Sequence, residues 1–147
     1  KREKMKEELD KKLVRAFPLL YGDRNASKLS TAMCWGFPGD GWFDLIWDLS
    51  SKLEPLIQKF VDENQDTELY PKAFQVKEKF GGLRFYMTCH TDEISDLISE
   101  AEALSLKTCE ECGKPGEERA PVRIHTLCDC CHENWDKIRA KKWEENV

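Results

Sequence analysis

AFQVKEKFGGLRFYMTC, Ala73 to Cys89, contains two short extended runs around Gly81-Gly82. Its reading decides the fold. A glycine pair accepts the positive φ of a two-residue turn, so the two extended runs that meet there predict an antiparallel hairpin turning at Gly81-Gly82. That pairing sets Phe80 against Leu83, Glu78 against Phe85 and Val76 against Met87. Alternation then turns Val76, Phe80, Leu83, Phe85 and Met87 to one face, with Glu78 the single polar member. A slip of one residue would expose the whole set, so the register is strongly specified. The opposite face carries Lys77, Lys79, Arg84 and Tyr86.

The runs on either side of the hairpin have helical period. Residues 1–17 place Met5, Leu9, Leu13, Val14 and Phe17 on one stripe, and Pro18 stops the helix. YGDRNASKLSTAMCWGFPGDG, Tyr21 to Gly41, reads as a loop. Asp40 is placed to cap the next helix, whose stripe is Trp42, Leu45, Ile46, Leu49, Leu53, Leu56, Ile57 and Phe60. Pro55 predicts a kink, or a break and restart, near Lys52–Pro55. After the hairpin, Thr91 can cap a helix to about Leu106, with Ile94, Leu97, Ile98, Ala101 and Leu104 inward. The fold class expected is α+β: helices packed on a two-stranded hairpin, residues 1–106, followed by a zinc-ribbon-like finger and a short basic helix with Trp135, Ile138 and Trp143, residues 107–147.

The chain of 147 residues is 40% hydrophobic with five tryptophans, enough for a core, and its net charge is −5. No global positive field draws it to nucleic acid or an anionic membrane, so such a role needs a local basic patch. No apolar run reaches the roughly 18 residues of a spanning helix, and KREKMKEELDKK lacks the apolar region of a signal peptide. A soluble, cytoplasmic protein is the expectation.

Five of the seven cysteines lie between Cys109 and Cys131. An extracellular disulfide framework is more naturally even in number and spread out, so the clustering points to thiolate–metal chemistry. Cys109 and Cys112, then fifteen residues, then Cys128 and Cys131 give C-x2-C twice, the spacing of a structural Zn2+ site. Two thiolates three apart wrap one side of a tetrahedral ion, and Gly113 suits the turn between knuckle and strand. Cys130 is only two positions from Cys128, which turns its sulfur away. His132 offers Cys128-x3-His132, also acceptable to zinc, and is the rival to Cys131. Four sulfurs close the coordination sphere, so the metal holds structure and activates no water. Cys34 and Cys89 stand apart and read as small buried hydrophobes.

GDGWFDLI at Gly39–Ile46, QVKEKFGGLRFY at Gln75–Tyr86, AEALSLKTCEECGKPGEER at Ala101–Arg119 and TLCD at Thr126–Asp129 resemble a family of small zinc-finger proteins of bacteria and their phages. The strings occur in order and span most of residues 34–132. In that family the fourth ligand position is often a histidine ending C-x2-H, where Cys131 stands here. The resemblance implies a metal-held finger and no particular activity. The finger alone is also similar to those of the DksA/TraR-type RNA polymerase regulators, although its spacing is shorter and their long N-terminal coiled coil is not evident. That implies a large assembly as partner.

Four groups of candidate residues lie outside the finger. Trp35, Phe37 and Trp42 could form an aromatic surface beside Asp40, although plugging the end of the long helix is the simpler role. Asp44 and Asp48, four apart, read as a solvated face rather than an acid/base pair. His90 in CHTDE lacks the glutamate and P-C-x-x-C of zinc deaminases and reads as closing a turn. A pocket around Trp35, Asp40 and His90 is what an enzyme reading requires. Lys77, Lys79, Arg84 and Tyr86 suit either an acidic protein or a nucleic-acid backbone with a stacked base. The overall negative charge ranks a protein partner first. The expectation is a non-enzymatic, zinc-stabilised module that binds another protein, an inhibitor or modulator of a host system if phage-encoded. A nucleic-acid-binding or transcription-associated finger is the alternative.

Overall fold

The computed structural model describes residues 4–26, 35–64, 69–120 and 123–145. The architecture is α+β. Helix α1 (Glu7–Ala16) and the short α2 (Gly22–Ala26) precede a 3-10 turn (Asp40–Trp42) that runs into the long α3 (Phe43–Asn64). Strands β1 (Ala73–Lys79) and β2 (Gly82–Met87) form the hairpin, and α4 (Asp92–Ser105) follows. The finger holds β3 (Glu117–Arg119), β4 (His125–Leu127) and α5 (Asp129–Glu133), with α6 (Trp135–Glu145) beyond it. The two sheets are separate antiparallel pairs.

The core lies between the inner face of the hairpin and the helices. Ile46, Leu49, Leu53 and Ile57 of α3 meet Val76, Leu83, Phe85 and Met87, with Ile94, Ile98 and Ala101 from α4. Leu13 and Val14 of α1, with Phe17 just after it, close one side. Phe37 and Trp42 are fully buried in the same cluster and Trp35 packs against it, so these aromatics fill the core beside the start of α3. Leu104 faces solvent, because Ala101 and Ser105 set the inward line of α4 and Leu104 falls to its flank.

The hairpin turns one residue earlier than Gly81-Gly82. Phe80 and Gly81 both take positive φ, 53° and 81°, the pattern of a type I′ turn, and Lys79 pairs with Gly82. Val76 therefore faces Phe85, and Glu78 faces Leu83. The pairing moves by two residues, so every expected inward residue keeps its face except Phe80, which is 66% exposed in the turn. Glu78 sets this turn: its Oε2 accepts the Gly81 N–H at 2.7 Å. At the other end, a shift in register between Ala73 and Gln75 leaves Ala73 and Val76 both inward and frees Phe74 to the outer face. The far edge of β2 is closed by α4, since the Leu83 and Phe85 N–H groups donate to Ser105 Oγ and Glu102 Oε2.

Four further expectations are corrected. The long helix runs through Pro55 without the break and restart that the proline made one option. Glu54, the residue before it, accepts the Leu19 and Leu20 N–H groups at 2.8 and 2.9 Å, which ties this part of α3 to the chain after α1. Asp40 caps a different helix: its Oδ1 accepts the N–H of Lys6, at the start of α1, at 2.8 Å, and Gly39 precedes the 3-10 turn without a side-chain cap. Part of the expected loop is α2, held by the Arg24–Asp10 pair at 2.6 Å. Thr91 caps α4 as read, its Oγ1 accepting the Ile94 N–H. Cys89 is exposed rather than buried, and Cys34 lies outside the described residues.

Phe85 is 2% exposed at the centre of the hairpin's inner face. Truncating a ring there leaves a cavity among rigid neighbours, so Phe85→Ala is expected to destabilise the fold by about 3–5 kcal/mol, read from denaturant unfolding.

Candidate metal centre

The turn after α4 delivers the first knuckle. The Thr108 N–H bonds to Ser105 O, and Cys109 follows with its N–H on Lys114 O at 2.8 Å. Gly113 closes the loop, donating to Cys109 O at 2.9 Å with φ at 81°. The second knuckle leaves β4 at Cys128, which is the N-cap of α5, and its Sγ accepts the Cys131 N–H at 3.4 Å. That N–H pulls the Cys128 thiol down to about 7, whereas burial pushes the Cys131 and Cys112 thiols up. Strand β3 supports the pair through Arg119, which donates to Leu127 O and Asp129 Oδ1.

Cys109, Cys112, Cys128 and Cys131 bring their sulfurs within 4.8 Å of one another, with Cys112 and Cys128 at 3.6 Å. A tetrahedral ion with metal–sulfur bonds of about 2.3 Å requires sulfurs about 3.8 Å apart, so the cluster can hold one metal ion with small adjustment. Cys130 and His132 are exposed and outside the cluster. One turn of α5 explains this, because the residue three beyond Cys128 returns to its side while the neighbours point away. Asn134 donates to the Cys130 carbonyl at 2.8 Å.

Beneath the knuckle lies a pair absent from the sequence reading. Glu110 Oε1 meets His125 Nδ1 at 2.6 Å, with the side chains 5% and 4% exposed. Burial pushes the Glu110 carboxyl above its ordinary value, against the pull of His125. His125 Nε2 is buried with no partner among the described residues, and the Trp135 ring lies 4.4 Å from the imidazole. The only local signal was the CEEC string, which does not reveal which glutamate turns inward.

The knuckle is seated on the GDGW segment. Gly41 N–H donates to Glu110 O at 2.9 Å, and Trp42 Nε1–H to Thr108 O at 2.8 Å. A Cβ on Gly41 would stand 2.2 Å from Cys109 O and 2.6 Å from Gly113 N, so only glycine permits this approach. At the hairpin tip, Thr126 Oγ1 donates to Gly81 O at 2.7 Å.

The other candidate residues fall as follows. Lys77 pairs across the strands with Arg84, and its Nζ lies 5.5 Å from the Tyr86 ring. Tyr86 stacks on Phe74 at 5.8 Å and 24°, an aromatic neighbour overlooked because the bulge that exposes Phe74 has no sequence signal. Lys79 Nζ lies 5.7 Å from the Phe80 ring, and Arg84 donates to Leu83 O. Trp35, Asp40 and His90 have separate engagements. Trp35 packs edge-on to Phe37 under Arg24, Asp40 binds the start of α1, and exposed His90 sits 3.4 Å from Ser95 Oγ. Asp48 pairs with Lys52 on the exposed face of α3. Comparison with family models, curated protein sequences and solved structures finds no match to this chain.

Two outcomes follow from this geometry. Cys131→Ser is expected to lose the bound metal, while Cys130→Ser and His132→Ala keep one metal per chain, measured by elemental analysis of purified protein. Metal retained in Cys131→Ser and lost in His132→Ala would reverse the ligand set. Gly41→Ala must move the knuckle's backbone, and a loss of roughly 2–4 kcal/mol in unfolding free energy is expected, with the Trp42 indole N–H resonance displaced.

Proposed function

We propose that this protein is a non-enzymatic module, stabilised by one structural zinc ion, that binds another protein through the outer face of its hairpin. The metal reading rests on the donor set. Four thiolates with no open position suit Zn2+, which has no redox chemistry and no preference against a tetrahedron. The ion would organise the two knuckles and hold the finger on the GDGW segment. A reducing, cytoplasmic setting fits thiols kept for metal. No helix among the described residues is long and apolar enough to cross a membrane.

The observation that carries the binding reading is the gathering of Lys77, Lys79, Arg84 and Tyr86, joined by Phe74, on one face of a two-stranded ribbon. None of the three cations has an ion-pair partner among the described residues. Such a face steers an acidic partner and offers rings for burial once it arrives. The resemblance to bacterial and phage finger proteins is compatible with a modulator of a host system. Nucleic acid is the competing polyanion, favoured by the Phe74–Tyr86 stack and disfavoured by the net charge of −5.

Lys79→Glu combined with Arg84→Glu tests the face. Metal content should be unchanged and the stability cost about 1–2 kcal/mol, since Lys79 is exposed and half-buried Arg84 loses only its bond to Leu83 O. Capture of the partner from lysate of the encoding organism, run beside wild type, should fall, with slower association at low salt. Undiminished capture by the folded double variant would remove this face from the function. A steep salt dependence of binding to random oligonucleotides would instead favour the nucleic-acid reading.

A further inference from the structure

Phe80 occupies a position that the fold alone does not explain. At φ 53° it sits in the left-handed region that glycine or asparagine ordinarily fills in a type I′ turn. Its ring nevertheless stays 66% exposed. An aromatic residue in an unfavourable backbone conformation, with little burial in return, points to a use outside the chain's own core.

The surroundings of the ring say what that use is. Leu106, 49% exposed, borders the same end of the ribbon: a Cβ on Gly82 would stand 3.2 Å from Leu106 Cδ2 and 3.1 Å from Arg84 Nη1. The other end of the outer face carries the Phe74–Tyr86 stack, with Phe74 38% exposed. Between these apolar ends stand Lys77, Lys79 and Arg84. The only carboxylate between residues 74 and 88 is Glu78, and it is turned to the Gly81 N–H. The pattern is apolar, cationic, apolar along about 20 Å of ribbon, six residues at roughly 3.4 Å each.

We infer that this face seats an acidic amphipathic helix of a protein partner, with apolar side chains on Phe80 and Leu106 at one end and on Phe74 and Tyr86 at the other. The inference rests on the protein-binding reading above and gives its partner a chemistry. A helix is the occupant because the vacant feature is a sheet face. The inner face is already covered by α3 and α4, and a second helical layer is how an open sheet face is buried. The far edge of β2 is closed by Ser105 and Glu102, so adding a strand there is blocked. Glutamates flanking the apolar stripe would pair with the three cations. A long polyanion would run off the ribbon onto a chain whose net charge is −5, whereas a short acidic helix of about 13 residues stays within the 20 Å stripe.

The probe is a fluorescein-labelled, hydrocarbon-stapled peptide of about 14 residues, with leucine at i, i+4, i+7 and i+11 and glutamate on the flanks. It is compared by anisotropy with the same peptide carrying serine for leucine and with oligothymidine of similar length. The leucine peptide should bind at least roughly tenfold more tightly than either control. Phe80→Asn should weaken that binding by roughly tenfold while raising the thermal midpoint by about 2–4 °C, because asparagine relieves the turn. A purely structural Phe80 would leave binding unchanged. Equal binding of the serine peptide, tighter binding of oligothymidine, or unaltered binding by Phe80→Asn overturns the inference. Loss of natural-partner capture by the Lys79→Glu, Arg84→Glu variant alongside any of these results discards the helix and leaves protein binding standing. Retained capture by that variant discards both.

Discussion

The backbone contact between Gly41 and Glu110 is the constraint on which the rest of the molecule depends. It brings the start of the longest helix against the first cysteine knuckle at 2.9 Å, closer than any side chain on Gly41 would allow. The Trp42 indole repeats the connection by donating to Thr108 O, and its ring is fully buried in the main core. Each such hydrogen bond is worth only about 1 kcal/mol net, but leaving a buried donor unpaired costs more. The body therefore presents donors that the finger must satisfy.

This arrangement explains why the core of a chain with so few strands is well closed. A two-stranded hairpin alone is marginal in water. Here its inner face lies on α3 and α4, one edge is bonded to α4, and its turn is held by Glu78 from within and by Thr126 from the finger. One consequence is that the outer face is left open among the described residues. The charged and aromatic side chains on that face organise one another, Lys77 over Tyr86 and Tyr86 on Phe74, so little side-chain freedom remains to be lost on contact.

Some of this was legible in the sequence because it depends on local spacing. The two C-x2-C pairs predict a cluster from chain geometry, and the alternation of Val76, Leu83, Phe85 and Met87 predicts the inner face whatever the turn. The turn itself was misplaced by one residue because Phe80-Gly81 and Gly81-Gly82 both end in glycine, and a Glu78 bond decided between them. Asp40 looked like a cap for the helix it precedes, yet a donor thirty-four positions away captured it. For Glu110 and His125 the CEEC string gave no hint of the partner, since their pairing exists only once both knuckles are folded. Pro55 failed to break α3 because the helix is held by tertiary contacts on both sides of it, which outweigh a local preference.

The finger and the ribbon are joined in one mechanical sense. Thr126 sits two residues before Cys128 and donates to the carbonyl of Gly81, the second residue of the hairpin turn. Its own carbonyl accepts the Glu110 N–H, beside Cys109. One strand residue thus touches both knuckles' neighbourhoods and the turn that carries Phe80. Thr126 ties the backbone of the first knuckle to the turn of the hairpin. Gly81, the residue after Phe80, is held through its N–H by Glu78 and through its carbonyl by Thr126. The finger and the hairpin turn are therefore joined by one short chain of hydrogen bonds, from Glu110 through Thr126 to Gly81.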